Sequence, residues 1–428
     1  MMETQTMLLE NVSAMPASTW RFLKMNETAI EIPAGLAISP AVEIEGACRR
    51  GDGEEFAQAL AAAQAEWEAL HPAPTAEELA EREAFLAAEA DATYGGTAQS
   101  DYQMNADALE DMRSLAAAFE HGLGDETAAY LRYTAGEHII VEAAPGQEVQ
   151  ARITVAAVPG AISIAAIDAI AGRDSSIELS ILVDGPVAGA PDAASGIAGT
   201  ALRVFADADA HVSIERMQTL SDGFADIDDA GLFAHDRAHI NVRQTVLGAD
   251  ASFSGWAGDL RGDQSRIGID TRYLGSGTQK RDFNYSLRHH GTRSTCDLTA
   301  NGVLAGKSAK ILRGTIDLVR GCKGAQGSEN ETVLLIDEGV RNKTVPVILC
   351  NEDDVAGNHG ATIGHIRAEQ LFYLASRGLS QEAAEALFAS AIVEQAALEA
   401  GTPATRAAAI RLGERMTPGF AERFDEEE

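Results

Sequence analysis

HINVRQT, residues 239–245, sets Ile240 and Val242 on one side of an extended chain and His239, Asn241 and Arg243 on the other. The same two-residue period recurs in HVSIERM (211–217), RIGIDTR (266–272), DFNYSLR (282–288), TCDLTAN (295–301) and GTIDLVR (314–320). Clusters of Gly, Asp, Asn and Ser between these pieces mark turns. No amphipathic helix of ten or more residues interrupts the region, which argues against a βαβ sheet, whose parallel strands need helical crossovers. Short strands from about residue 130 to residue 356 leave a sandwich, a propeller or a solenoid of stacked β-coils. The pieces follow one another at roughly 16 to 28 residues, without a clean repeat. Polar residues face outward on nearly every strand, and Asn301-Gly302 is the one Asn-Gly hairpin signal. Both features tilt the reading toward an irregular β-helix.

The flanks read as helical. EEFAQALAAAQAEWEALH (54–71) places Phe56, Leu60, Ala63, Trp67 and Leu70 on one stripe, and HPAPT stops it. Thr75 suits the N-cap of AEELAEREAFLAAEA (76–90), and a third helical stretch covers ADALEDMRSLAAAF (106–119). Helices return after Gly364: one ends at Gly378, Ser380 caps the next, and Thr402-Pro403 reads as N-cap and first helical residue of the last. The tail FDEEE reads as solvated and disordered. The expected organisation is mainly β with helical ends: a helical domain over 1–127, a β-helix core over 128–356 and a helical domain over 357–428.

A net charge of −32 argues against binding a phosphate backbone and against anionic membranes. No apolar run is long enough to span a bilayer, and MMETQTMLLENVSAMP lacks the pattern of a signal peptide, so a cytoplasmic protein is expected. Cys48, Cys296, Cys322 and Cys350 are widely spaced and fit neither a zinc ribbon nor a disulfide framework. They read as buried or half-buried free thiols, and the three in the β-rich part keep a minor ligand role open.

Three stretches invite chemistry. NGVLAGKSAK (301–310) has only three residues between Gly302 and Gly306 and is followed by strand-like sequence, so it reads as a turn rather than a phosphate cradle. LRHHGTR (287–293) puts His289 and His290 on opposite faces of a strand, where they cannot chelate one ion, and a solvated turn is expected. EDDVAGNHGATIGHI (352–366) holds Asp353, Asp354 and His359, which are metal ligands, an acid/base set or polar groups finishing a turn. Gly357, Gly360 and Ala361 around His359 leave room for a second backbone or subunit.

The stretch from Arg313 to Leu387, with its DDV, HGAT, LFYL and SRG motifs, resembles the C-terminal half of the SufB/SufD family. Those proteins are scaffold subunits of the SUF iron–sulfur cluster assembly machinery. TCDLTANGVLAGKSAKILRGTID (295–317) resembles it more loosely, and MPASTWRFLKMNET (15–28) looks like the start of SufD-type chains. The resemblance implies a right-handed β-helix between helical domains and a scaffold that is not an enzyme. It also implies pairing with a SufB-type subunit through the β-helix, and docking of the SufC-type ATPase on the C-terminal helices. SufB carries a sulfur-accepting cysteine where this chain has Val340, and a glutamate after the histidine where this chain has Gly360. SufD-type chains keep that histidine, and His359 matches it. His359 is therefore expected to be an iron or cluster ligand at the subunit interface, with Asp353, Asp354 and Gly360 shaping its turn. The nascent iron–sulfur cluster would be shared with the SufB-type partner. Some SufD chains have a cysteine two residues before the histidine; this chain has Gly357. Two rival readings are a β-helix carbohydrate-active enzyme, which needs carboxylates on adjacent coils and aromatic platforms, and a homodimeric scaffold without a SufB partner.

Overall fold

The computed structural model describes residues 6–16, 25–70, 119–185 and 196–427. The chain divides into a large unit of residues 1–56 and 120–428 and a small unit of residues 57–119. What is described of the small unit is the body of α1 (Glu54–Leu70), the expected helix, with Ala63 buried. The expected helix at 76–90 lies outside the described residues, as does that at 106–119 apart from Phe119.

The residues before α1 correct the helical reading of the N-terminus. They form β1 (Met7–Val12), β2 (Thr28–Ile32), β3 (Ala37–Ile38), β4 (Val42–Gly46) and β5 (Cys48–Arg50). β1 and β2 make an antiparallel pair whose Leu9, Val12, Ile30 and Ile32 are buried. The reason is in TAIEI (28–32), which alternates with a period of two, not 3.6.

After α2 (Asp125–Tyr133) the chain winds through sixteen strands, two to a coil. The first four coils are β6 (Glu137–Ala143) with β7 (Glu148–Ala156), β8 (Ala161–Ala171) with β9 (Ser176–Asp184), β10 (Gly196–Ala206) with β11 (His211–Gln218), and β12 (Phe224–Ala234) with β13 (His239–Val246). The next four are β14 (Ala251–Leu260) with β15 (Arg266–Gly275), β16 (Lys280–His289) with β17 (Thr295–Leu304), β18 (Ala309–Leu318) with β19 (Gln326–Leu335), and β20 (Arg341–Cys350) with β21 (Ala356–His365). Even-numbered strands stack in one parallel sheet and odd-numbered strands in the other. This is the expected β-helix. It runs past the boundary expected at 356, since β21 is its last strand.

Inward residues fill the lumen. Ile240 and Val242 belong to its apolar core, stacked between Val212 and Ile214 below and Ile267 and Ile269 above. Each such side chain contributes about 1.5–3 kcal/mol on burial. The outer faces are less polar than the alternation suggested. All eleven residues of β8 are buried, because Ile162 and Ile164 also pack under Leu9, Ile30, Leu123 and Leu131. The odd-numbered sheet is covered in turn by α4 (Gln381–Leu398) and α5 (Pro403–Met416), which follow α3 (Ala368–Ser376). Val393, Ala396, Ala408 and Leu412 of these helices share a core with Leu182, Met217, Leu274 and Val303. Ser380 caps α4 and Thr402 caps α5, as expected. The tail is not disordered up to Glu427. Residues Ala421–Glu427 form a 3-10 helix with Phe424 buried beside Phe420. No helix among the described residues is long and apolar enough to cross a membrane.

Midway along the lumen the packing turns polar. Arg216, wholly buried, pairs with Asp226 at 2.6 Å and Asp228 at 2.9 Å. Ser252 donates to Asp226, while Gln244 and the Trp256 indole donate to Asp228. Two carboxylates around one guanidinium leave a surplus negative charge in a dry space. Burial, with Asp226 adding to it and Arg216 opposing it, pushes Asp228 up from 3.8 to about 6. The folded chain therefore holds a proton there that the unfolded chain releases near pH 4. That contribution to stability is full below about pH 4 and is lost as pH rises through about 6. Urea titrations should show wild type gaining on the order of 2–3 kcal/mol over Asp228→Asn between pH 7.5 and 4. A difference that stays constant with pH would remove this account.

Candidate functional site

The two ends of the solenoid differ. At the N-terminal end β4 and β5 run antiparallel to β7 and β6 and cover their edges. At the other end β20 and β21 are the outermost strands of their sheets. Nine of the ten residues of β21 are exposed. An uncovered strand edge presents unpaired N–H and C=O groups to whatever approaches.

His359 lies on β21, not in a loop, and is exposed. Its place in the register is informative. The column beneath it runs Ala151, Leu179, Ile214, Val242, Ile269, Leu298 and then Glu329. The first six are lumen core residues. His359 thus tops a lumen-facing column, and it is open because no further coil among the described residues stacks on it. On β20 the column that includes Leu260, His289 and Leu318 ends in exposed Cys350.

The coil beneath is unusual for a lumen. Glu331 is buried and bonded to Lys310 and Thr344, with the Tyr273 hydroxyl 3.3 Å away. Glu329, two residues earlier on the same face, is 4% exposed, and its Oε2 has no hydrogen-bond partner. Burial, helped by Glu331, pushes it up to about 7. A Cβ on Gly314 would stand 2.5 Å from this carboxyl, so the glycine makes its space. Sequence reasoning passed over Glu329. The signal was there, in SENETVL, where inward positions carry glutamate instead of an aliphatic residue.

The turn before β21 is held differently from expectation. Asp353 and Asp354 are exposed, and the carboxylate that binds its amides is Glu352, accepting from Gly321 at 2.9 Å and Asp353 at 3.1 Å. Asp354 contributes its backbone carbonyl, which accepts from Gly324. Gly360 is exposed and extended opposite Asn330. Structure brings Asp353 and Asp354 to the turn and His359 to the lumen mouth, on different features. Among the described residues no group of three or more His, Cys, Asp and Glu side chains could hold a metal ion.

Other candidates resolve elsewhere. Gly306 and Lys307 form the turn between β17 and β18. His289 is not solvated: it is buried, with Nδ1 2.8 Å from Ser294 Oγ and Nε2 3.1 Å from Cys296 Sγ. This Cys–His pair was invisible in sequence, yet burial drives its thiol far upward and the imidazole down to about 4. Cys322 is pushed up to about 12. Iodoacetamide should therefore label Cys350 in the native protein, and Cys296 and Cys322 only after unfolding, read by peptide mass spectrometry. Rapid native labelling of Cys296 would contradict it.

A groove of about 780 Å³ runs over the odd-numbered sheet beside α4 and α5, with Glu178 and Glu215 on one adjacent pair of coils, Asp270 and Asp297 on another, and Asn241 and Arg243 on the coil between. Among the described residues no aromatic side chain lines it, and Glu215 already accepts from the Gly401 amide at 2.8 Å.

The family model described as "SUF system FeS cluster assembly, SufBD core domain" matches residues 159–392. The chain is 29% identical over 163 residues to the iron–sulfur cluster assembly protein SufD of Bacillus subtilis, covering 35% of this chain and 37% of that one. It is 30% identical over 131 residues to an iron–sulfur cluster assembly SufBD family protein of Mycobacterium leprae, covering 31% of this chain and 15% of the relative. A SufBD family protein of Staphylococcus epidermidis is 22% identical over 200 residues, covering 47% of this chain and 43% of the relative. The matched stretches thus span less than half the length of each of these relatives.

Proposed function

Because this chain belongs to the SufBD family, whose general role is scaffolding iron–sulfur cluster assembly, we propose that it is the SufD-type subunit of such a scaffold. It pairs through the open end of its solenoid with a SufB-type subunit. The observation that carries this reading is the last coil: two uncovered strand edges and a lumen-facing histidine left exposed. A second solenoid end set against it would satisfy the edges and close the mouth. His359 then lends an imidazole nitrogen, a good iron ligand, to a set completed by the partner. Iron and sulfide are cargo here, and the chain carries no bond-making chemistry of its own. Val340, packed against the core at the place of the SufB cysteine, and Gly360 after the histidine favour the SufD role.

The C-terminal helices offer a second surface. Phe372 is 76% exposed and Tyr373 56%, both on α3, an apolar pair that supports docking of a SufC-type ATPase there. The setting would be the cytoplasm, where SufC-type subunits have ATP.

Anaerobic co-expression with SufB-like and SufC-like proteins, pulling on this chain alone, tests the proposal. The expected eluate holds all three proteins and absorbs as an iron–sulfur protein. A homodimer without a SufB-like chain would favour the rival scaffold. A lone, colourless chain would overturn both.

A further inference from the structure

We propose that Glu329 is the second ligand this chain supplies at His359, so that a carboxylate and an imidazole together hold one divalent iron at the mouth of the lumen. The inference rests on the reading of His359 given above and adds a residue to it.

Three observations carry it. Glu329 and His359 are direct register partners on parallel strands β19 and β21. Such partners stand about 4.8 Å apart and project to the same face, here the lumen face of the last two coils. Glu329 follows a column of six apolar residues, at a depth where a carboxylate oxygen without a hydrogen bond is destabilising. Its neighbour Glu331 shows what a purely structural buried glutamate does in this coil: it takes Lys310, Thr344 and Tyr273 as partners. Glu329 has an unpartnered oxygen, a glycine that clears its space and, among the described strands, only the last coil above it. A mixed nitrogen–oxygen pair suits Fe(II) and leaves positions for a partner's ligands.

The purified full-length chain, kept anaerobic, is titrated with Co(II) as a coloured stand-in for Fe(II). Wild type should show a visible-band site, and Glu329→Gln and His359→Ala should each weaken it by about tenfold or more. The double variant should lose little beyond the worse single one, as for two groups acting on one ion. If His359→Ala abolishes the site while Glu329→Gln binds like wild type, the carboxylate role is overturned and the histidine reading stands. If wild type and both variants behave alike, or wild type gives no site, the pair is overturned. Glu329→Leu provides a readout independent of metal. It should raise Tm, by about 2 °C, because it completes the apolar column. A lower Tm would mean the carboxyl is structural.

Discussion

His359→Ala should leave the chain folded and bound to its partners, while the iron and sulfide retained by the complex fall at least about tenfold. Folding is spared because the side chain is exposed on the outermost strand, where substitutions usually stay within about 0.5 kcal/mol. The loss is large because an ion at a subunit junction has few ligands to spare. His365→Ala is the control, since His365 is also exposed on β21 but is tied by Nδ1 to the Leu335 carbonyl at 3.1 Å. Iron and acid-labile sulfide would be assayed on the intact complex beside its visible spectrum. Undiminished cluster content in His359→Ala would end the ligand role, and equal losses in both variants would reduce it to an effect of the strand.

The largest stability change should come from Arg216→Leu, at about 3–5 kcal/mol in urea unfolding. Removing the guanidinium strands Asp226 and Asp228 in the lumen, each almost fully buried. Their remaining partners, Ser252, Thr200, Gln244, Ser254 and Trp256, donate hydrogen bonds but carry no charge. Replacing Arg216, Asp226 and Asp228 together by apolar residues should recover most of the loss, since no lone charge is then left behind. A cost below about 1 kcal/mol for the single change would show that water reaches the cluster.

Much of the fold was readable because a half-buried strand writes its faces into the sequence. The repeat was also written there, but overlaid. DFNYSLR and GTIDLVR belong to β16 and β18 of one sheet, while the other four pieces belong to the opposite sheet. Within that opposite sheet His211 pairs with His239, His239 with Arg266, Arg266 with Thr295 and Thr295 with Gln326, steps of 28, 27, 29 and 31 residues. Mixing the two sheets blurred a period that each keeps. The N-terminal strands were missed for another reason: TAIEI and VEIEG are five residues each, too short to stand against the long helical pattern that follows. At the site, the family motif led to His359, and local turn chemistry led to Asp353 and Asp354. Glu329 needed the register, because thirty residues of sequence separate partners that are adjacent only once the coils stack.

The uncapped last coil bears on supply and disposal as well as on chemistry. A newly made chain exposes two strand edges at the end of an otherwise finished rod of coils, and those edges accept any extended segment, including a sister chain's. Pairing with the proposed partner would remove them and stabilise the folded form by mass action. Surplus copies would then be left to aggregate or to be degraded. The amount of this chain that a cell keeps would then follow the amount of partner it makes, so translation of the two in step guards against waste as much as it serves assembly.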